Sequence, residues 1–337
     1  MSSQVPLDAR VWQQAVDAIR AADEVALACH LGPDGDALGS MLALALGLRA
    51  LGKRPVASWG SDPFAVPPMY TFLPGLDLLV EPEFFPTAPD LLVTFDTGSA
   101  ERLGLLQPHA AKAGCVVVLD HHVSNTHFGD VNVVVPHAAA TAVLVDELLQ
   151  RLGVPLDKEI AACLYTGLST DTGSFRFAAT TPAVHQLGAR LLATGIRHDE
   201  ISRAIWDTNR FPYLKLLGVL LARAELIEHE GLVWTWVSRD DLADHEVQIE
   251  EIEGVIDVIR TSIEAQVAVI CKQSLDGRWQ VSMRSKGAVD VSAVAVQFGG
   301  GGHRFAAGFT SVDGPGPTMD RLRDALRVAL RTAWFPR

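Results

Sequence analysis

EVALACHLGPDGDALGS, residues 24–40, is the stretch on which the reading of this chain turns. Its first six residues form an apolar run of the kind that makes a buried strand, and residues 39–51 continue as an apolar helix. Between them stand His30, Asp34 and Asp36, three metal-ligand side chains set among the turn formers Gly32, Pro33, Gly35 and Gly39. In an open α/β sheet, ligands gather beyond the carboxyl ends of the strands, where this stretch would lie.

Working outward, the pattern repeats. RPVASWG (54–60), LLVTFD (91–96) and CVVVLD (115–120) are further short apolar runs, and residues 141–152 and 158–169 have helical spacing. Uninterrupted runs of this kind between helices predict an α/β domain built on a parallel sheet with helices on both faces. TTPAVHQLGARLLATG (180–195) predicts a helix capped by Thr180 or Thr181, with Pro182 in its first turn. A polar, mostly helical stretch to Ala224 reads as a connector. From Leu232 the chain turns β-rich, in LVWTWV, AQVAVICKQ and RWQVSMRS, the last two joined by the hairpin signal SLDG. A glycine run at 299–302 and a closing helix at 319–332 follow. The expected organisation is a metal-binding α/β domain at 1–192, a helical connector at 193–224 and a smaller C-terminal α/β domain with a mixed sheet at 225–337.

Composition narrows the function. Of 337 residues, 48% are hydrophobic and 20% charged, which supports a sizeable core and argues against global disorder. The longest apolar stretch, 41–52, carries Arg49 and is too short to span a bilayer, and MSSQVPLDAR at the N-terminus lacks the pattern of a signal peptide. Cys29, Cys115, Cys163 and Cys271 form no CxxC pair, which fits free thiols in a reducing cytoplasm. The net charge of −12 speaks against a grip on long duplex nucleic acid, while leaving room for a short phosphorylated ligand held by metals and a few cations.

Four segments end in residues of one chemistry. They are the opening stretch, VTFDTGS with Asp96, VVVLDHHVSN with Asp120, His121 and His122, and LSTDTGSF with Asp171. Each residue alone has an ordinary explanation: a cap or Asx-turn for Asp34 or Asp96, a core histidine for His121 or His122, a helix-end residue for Asp171. Their joint occurrence at successive element ends points to one site. Imidazole and carboxylate without patterned thiolate favours Mn²⁺, Fe²⁺, Co²⁺ or Zn²⁺ over Ca²⁺. Asp34, Asp36, Asp96 and Asp171 carry four negative charges, which two divalent ions balance, and such a pair, about 3.5–4 Å apart, is the arrangement that clamps both oxygens of a phosphoryl transfer. Asp120 is then expected to orient a ligand histidine from behind.

HLGPDGDALGS, FDTGS, DHH and TDTGSF resemble, in this order, the four motifs of the DHH phosphoesterases, and GGGGHRFAAG (299–308) resembles the glycine-rich motif of the DHH-associated C-terminal domain. The resemblance is to the short two-domain type with nanoRNase and 3′-phosphoadenosine-5′-phosphate (pAp) phosphatase activity. RecJ exonucleases carry extra domains, and family II pyrophosphatases have a different C-terminal domain. The resemblance implies one Mn²⁺ on His30, Asp34 and Asp96 and a second on Asp36, Asp96, His121 and Asp171, with Co²⁺ or Mg²⁺ as substitutes. Asp96 would bridge the two and hold an activated water. His122 would face the scissile phosphate. Arg284, Gly300, Gly301, Gly302 and His303 of the C-terminal domain would bind substrate phosphates in a cleft between the domains.

The expected activity is hydrolysis of short RNA to 5′-mononucleotides and of pAp to AMP, with short single-stranded DNA as a further partner and a homodimer compatible with relatives. Cyclic or linear dinucleotides (c-di-AMP, pApA) are the alternative substrates, pyrophosphate a third, and a metal-dependent nucleotide sensor the alternative of another class. GLRALGKR (47–54) matches a phosphate-loop spacing but ends in Arg54 where that loop needs Ser or Thr, and no GxSxG elbow occurs. Trp234 and Trp236, alternating with Val233 and Val237, read as core or domain-contact residues rather than a base-stacking platform.

Overall fold

The computed structural model describes residues 7–332. The chain divides into two units, one ending at Thr208 and the other starting at Asn209. The first unit runs α1 (Ala9–Ala21), β1 (Glu24–Cys29), α2 (Gly35–Ala50), β2 (Arg54–Trp59), β3 (Leu91–Phe95), α3 (Gln107–Ala110), β4 (Cys115–Asp120), β5 (Val131–Val134), α4 (Thr141–Leu152), α5 (Lys158–Asp171), α6 (Pro182–Ala193) and α7 (His198–Trp206). Its strands make a five-stranded, wholly parallel sheet in the order β2-β1-β3-β4-β5. The chain leaves β1 toward β2 on one side and returns to β3 on the other, so the ends of β1 and β3 flank a topological switch point.

Successive strand residues face opposite sides. Val25, Leu27, Cys29, Val93, Phe95, Val117 and Leu119 meet α1, α2, α4 and α5 in one core. Ala26, Ala28, Leu92, Val116 and Val118 meet Phe85, Leu103 and Leu106 on the other side, covered by 3-10 turns and α3. Helix α2 is apolar all round because it is buried all round: 14 of its 16 residues are buried. It starts at Gly35, earlier than its apolar pattern indicates, because the Asp34 side chain accepts the N–H groups of Asp36 and Ala37 and so caps it. Strand β5 was not expected; it is a four-residue edge strand whose first two residues are only half-buried.

The second unit contains α8 (Phe211–Ala222), β6 (Glu225–Ile227), β7 (Leu232–Val237), α9 (Arg239–Asp244), α10 (Val255–Ile259), β8 (Val267–Gln273), β9 (Trp279–Ser285), α11 (Val291–Gln297), β10 (Gly301–His303), β11 (Ala306–Ser311) and α12 (Pro315–Thr332). Its six-stranded sheet has the order β10-β11-β9-β8-β7-β6 and is mixed: β7 and β8 pair parallel, the other neighbours antiparallel. The SLDG turn closes the β8–β9 hairpin, with Gly277 at φ 83°. Trp234 and Trp236 stack on each other at 5.3 Å, with Arg223 over the Trp236 ring, which makes them packing residues. No helix among the described residues is long and apolar enough to cross a membrane.

Candidate metal centre

The parallel sheet delivers ligand-type side chains to one rim. His30 follows β1, Asp96 follows β3, and Asp120 ends β4 with His121 and His122 directly after it. Asp34 and Asp36 open α2, and Asp171 closes α5. These residues gather into three sets whose ligand atoms lie within 4.8 Å of one another: His30, Asp34 and Asp96; Asp36, His121 and Asp171; and Asp96, His121 and His122. Asp34 and Asp36 thus fall into different sets, although one residue separates them.

Asp96 stands at the middle. Its Oδ2 is 3.5 Å from His30 Nε2, and its Oδ1 is 3.4 Å from His121 Nε2 and 3.0 Å from the Thr141 hydroxyl. Its backbone sits at φ 53°, a left-handed conformation that a non-glycine residue keeps only when its surroundings impose it. Here the Asp96 N–H is tied to the Leu119 carbonyl at 3.0 Å. Burial alone would raise the Asp96 carboxyl, but hydrogen bonds from His121 and His30 hold it below the ordinary range.

Asp36 is fully buried, and its carboxylate closes a helix other than its own. The first N–H groups of α4 have no intrahelical partner, and Ala140 at the cap has no side-chain acceptor. Asp36 supplies one: Thr141 N–H donates to Oδ2 at 2.6 Å and Ala142 N–H to Oδ1 at 2.9 Å, with the Ser40 hydroxyl at 3.1 Å. Helices α2 and α5 touch through glycines. A side-chain carbon on Gly39 would come within 2.4 Å of the Cys163 carbonyl, and one on Gly167 within 2.6 Å of Asp36 Oδ1. That contact holds Asp36 near Asp171, whose Oδ2 is 3.0 Å from His121 Nε2.

The histidines are fixed from behind. His30 Nδ1 lies 2.8 Å from the Leu31 carbonyl and His121 Nδ1 3.1 Å from the Ala138 carbonyl, which turns both Nε2 atoms toward the carboxylates. Asp120 holds the ring of His122 and only the backbone of His121: Oδ1 takes His122 Nδ1 at 2.7 Å and the His121 N–H at 2.9 Å, while Oδ2 takes Asn125 Nδ2 at 2.6 Å. Asn125, Thr141 and Ser40 carried no signal of their own in the sequence. Their parts depend on neighbours that only the fold supplies, except that Ser40 lies one helical turn after Asp36.

The field of the cluster favours cations. Burial, followed by the charges of Asp171 and Asp96, pushes the Asp36 carboxyl well above its ordinary range, a condition that a divalent ion relieves. Burial works against a charged His121, yet Asp171 and Asp96 push its imidazole up to about 12. Carboxylate and imidazole donors without thiolate, some buried and Asp34 exposed, fit a divalent ion of the first transition row.

In the second unit, Arg284 lies on β9 opposite Ala306, half-buried, with Nη1 on the Met283 carbonyl at 3.2 Å. Gly301 and Gly302 open β10, and Gly302 has φ 138°. Gly300 lies against β11, where a side-chain carbon would meet the Gly308 carbonyl at 2.1 Å. The side chain of His303 lies outside the described residues.

Residues 24–168 match the DHH family N-terminal domain and residues 233–333 the DHHA1 domain. The chain is 35% identical over 317 residues to the bifunctional oligoribonuclease and PAP phosphatase NrnA of Thermus thermophilus, covering 92% of this chain and 91% of that one. It is 26% identical to the protein of the same name from Bacillus subtilis, covering 85% and 88%. Its fold is shared with an exopolyphosphatase-related protein from Bacteroides fragilis, with a TM-score of 0.88, 23% identity and 98% of both chains covered. The chain therefore belongs to the DHH family, with the family's N-terminal domain followed by a DHHA1 domain.

Proposed function

We propose that this chain is a metal-dependent phosphoesterase that hydrolyses short oligoribonucleotides to 5′-mononucleotides and pAp to AMP. The observation that carries the reading is the pair of ligand sets around one rim, with Asp96 in the first and His121 in the second at 3.4 Å from it. The relatives named oligoribonuclease and PAP phosphatase support the substrate class. The net charge of −12 supports a short substrate over a long duplex.

His30, Asp34 and Asp96 would hold one ion, and Asp36, Asp96, His121 and Asp171 the other. When bound, two divalent cations, Mn²⁺ in this reading with Co²⁺ or Mg²⁺ as substitutes, supply Lewis acidity for the phosphoryl oxygens and a nucleophilic water near neutral pH. His122, whose Nδ1 lies 2.7 Å from Asp120 Oδ1, is assigned to a phosphoryl oxygen of the substrate. Asp120 and Asn125 keep that ring in one orientation. Overall, the water oxygen would bond to phosphorus as the bond from phosphorus to the ribose 3′-oxygen breaks, and a proton lost by that water would end on the departing 3′-oxygen. Arg284 and the glycines 300–302 with His303 are assigned to further phosphate oxygens: glycines allow close backbone approach to an anion, and arginine offers a two-pronged donor.

The test is a turnover panel with purified full-length chain and Mn²⁺ over RNA of two to five nucleotides, pAp, pApA and c-di-AMP. The expected result is mononucleotide from RNA, AMP from pAp, and loss of both in Asp96→Ala. Preference for a cyclic dinucleotide would move the assignment to that substrate. Tight nucleotide binding without release in Mn²⁺ or Co²⁺ would make the chain a sensor instead.

A further inference from the structure

Arg102 stands beside the centre without a task in the mechanism above. It lies in the 3-10 segment Ala100–Leu106 between β3 and α3. That segment is pinned to the loops after β1 and β2: Leu31 N–H donates to the Arg102 carbonyl at 2.8 Å and Leu105 N–H to the Gly60 carbonyl at 3.1 Å. Leu103 and Leu106 are fully buried. Gly104 has φ 55°, and a side-chain carbon there would meet Leu31 Cδ2 at 2.3 Å, while one on Gly60 would meet the Leu103 carbonyl at 2.1 Å. The two glycines let backbone lie directly on backbone, so the Arg102 main chain is fixed relative to His30.

The side chain itself is exposed, with Nη2 3.2 Å from His30 Nδ1. His30 Nε2 faces Asp96 and Asp34 at 3.5 and 3.9 Å. A histidine that offers Nε2 to a metal carries its proton on Nδ1, and that proton goes to the Leu31 carbonyl at 2.8 Å. Nδ1 then cannot accept from Arg102. The guanidinium also forms no ion pair with any carboxylate among the described residues, although Asp34 and Asp96 belong to the same set as its histidine neighbour. The cluster leaves a cation mounted on a rigid segment at its edge, with donors uncommitted. Carboxylates repel a phosphate. A guanidinium at their edge attracts one and can take two of its oxygens at once.

We propose that Arg102 binds a phosphate group of the substrate on the His30 side of the centre. The inference rests on the phosphoesterase reading for its substrate, and its test is separable from that reading. Arg102→Gln and Arg102→Lys in the full-length chain are compared with wild type in three measurements. These are KM and kcat for pAp with Mn²⁺, calorimetric affinity of the Mn²⁺-loaded protein for inorganic phosphate and AMP, and affinity for Mn²⁺ itself. A charge-assisted pair of hydrogen bonds predicts a rise of about ten- to hundredfold in KM and in the phosphate and AMP dissociation constants for Gln. Lys recovers part of it, and Mn²⁺ affinity stays within about twofold. Unchanged phosphate and AMP affinity in the Gln variant would overturn the proposal. So would a loss of Mn²⁺ affinity with phosphate affinity intact, because Arg102 would then only position His30. If wild type turns over none of the substrates, the phosphoesterase reading fails, and the phosphate affinities still decide for or against Arg102.

Discussion

Asp120 Oδ1 lies 2.7 Å from His122 Nδ1, and the same carboxylate takes Asn125 through its other oxygen. The aspartate is fully buried and belongs to none of the three ligand sets, so its effect reaches the site through the His122 imidazole and the His121 N–H that it holds. Asp120→Asn is expected to lower kcat by about 10²–10⁴-fold, the range for losing a positioned acid–base group. Mn²⁺ content should stay at the wild-type level. Steady-state kinetics together with metal analysis of the purified variant check both halves.

Asp36 and Asp171 share a ligand set but not a structural duty. Asp171→Ala removes a side chain that, among the described residues, bonds His121, and it is expected to weaken metal binding with little effect on chelator-treated protein. Asp36→Ala also strands the N–H groups of Thr141 and Ala142 in a buried helix end. It should cost about 2–4 kcal/mol even without metal. Denaturant unfolding of both variants in chelator separates the two effects.

One substitution, glycine to alanine, is expected to act with opposite sign at two helix positions. At Gly39 the added carbon meets the Cys163 carbonyl at 2.4 Å, so α2 and α5 must part. A loss of about 1–3 kcal/mol and weaker Mn²⁺ binding follow. At Gly218, inside α8, an added carbon meets nothing within 4 Å. There the gain in helix propensity should stabilise by about 0.5–1 kcal/mol. Thermal and denaturant unfolding check both signs.

In the second unit, Glu230 is gripped by Arg323 at 2.8 Å and Arg327 at 2.5 Å, Arg323 contributing first, which lowers its carboxyl to about 2 from an ordinary 4.5. A group held below its unfolded value stabilises above that unfolded value and loses its contribution as pH falls through the folded one. The pair should therefore contribute about 2–3 kcal/mol at neutral pH that fades between about pH 5 and pH 2. Glu230→Gln should be less stable at pH 7 and fall less steeply over that range. Denaturant midpoints at pH 7, 4 and 3 provide the check.

Much of the scaffold was legible because the strands are apolar on both faces. EVALAC and CVVVLD stand as β1 and β4 with the limits read from the sequence, and α4 occupies the expected residues 141–152. β5 escaped because VNVV is short and lies at an edge, where only its last two residues are buried. The residues of the candidate site stand out in the sequence by their chemistry at the ends of strands and helices. Their supports do not: the acceptor for α4 comes from Asp36, 105 positions earlier, and no local pattern encodes a partner at that range. Arg102 was silent for a similar reason, since an exposed arginine in a loop looks like any solvated charge until the loop is seen lying on the loop after His30.

The closing of α4 by Asp36 bears on the order in which the molecule comes into being. A growing chain that has emerged only as far as residue 140 already holds His30, Asp34, Asp36, Asp96, His121 and His122. It lacks the N–H groups of Thr141 and Ala142 that aim the Asp36 carboxylate, and it lacks Asp171. The set to which Asp36 belongs does not exist until α5 has been synthesised to its last residue and packed glycine-to-glycine on α2. The set of Asp36, His121 and Asp171 is therefore completed later in synthesis than the set of His30, Asp34 and Asp96, whose residues have all been made by then.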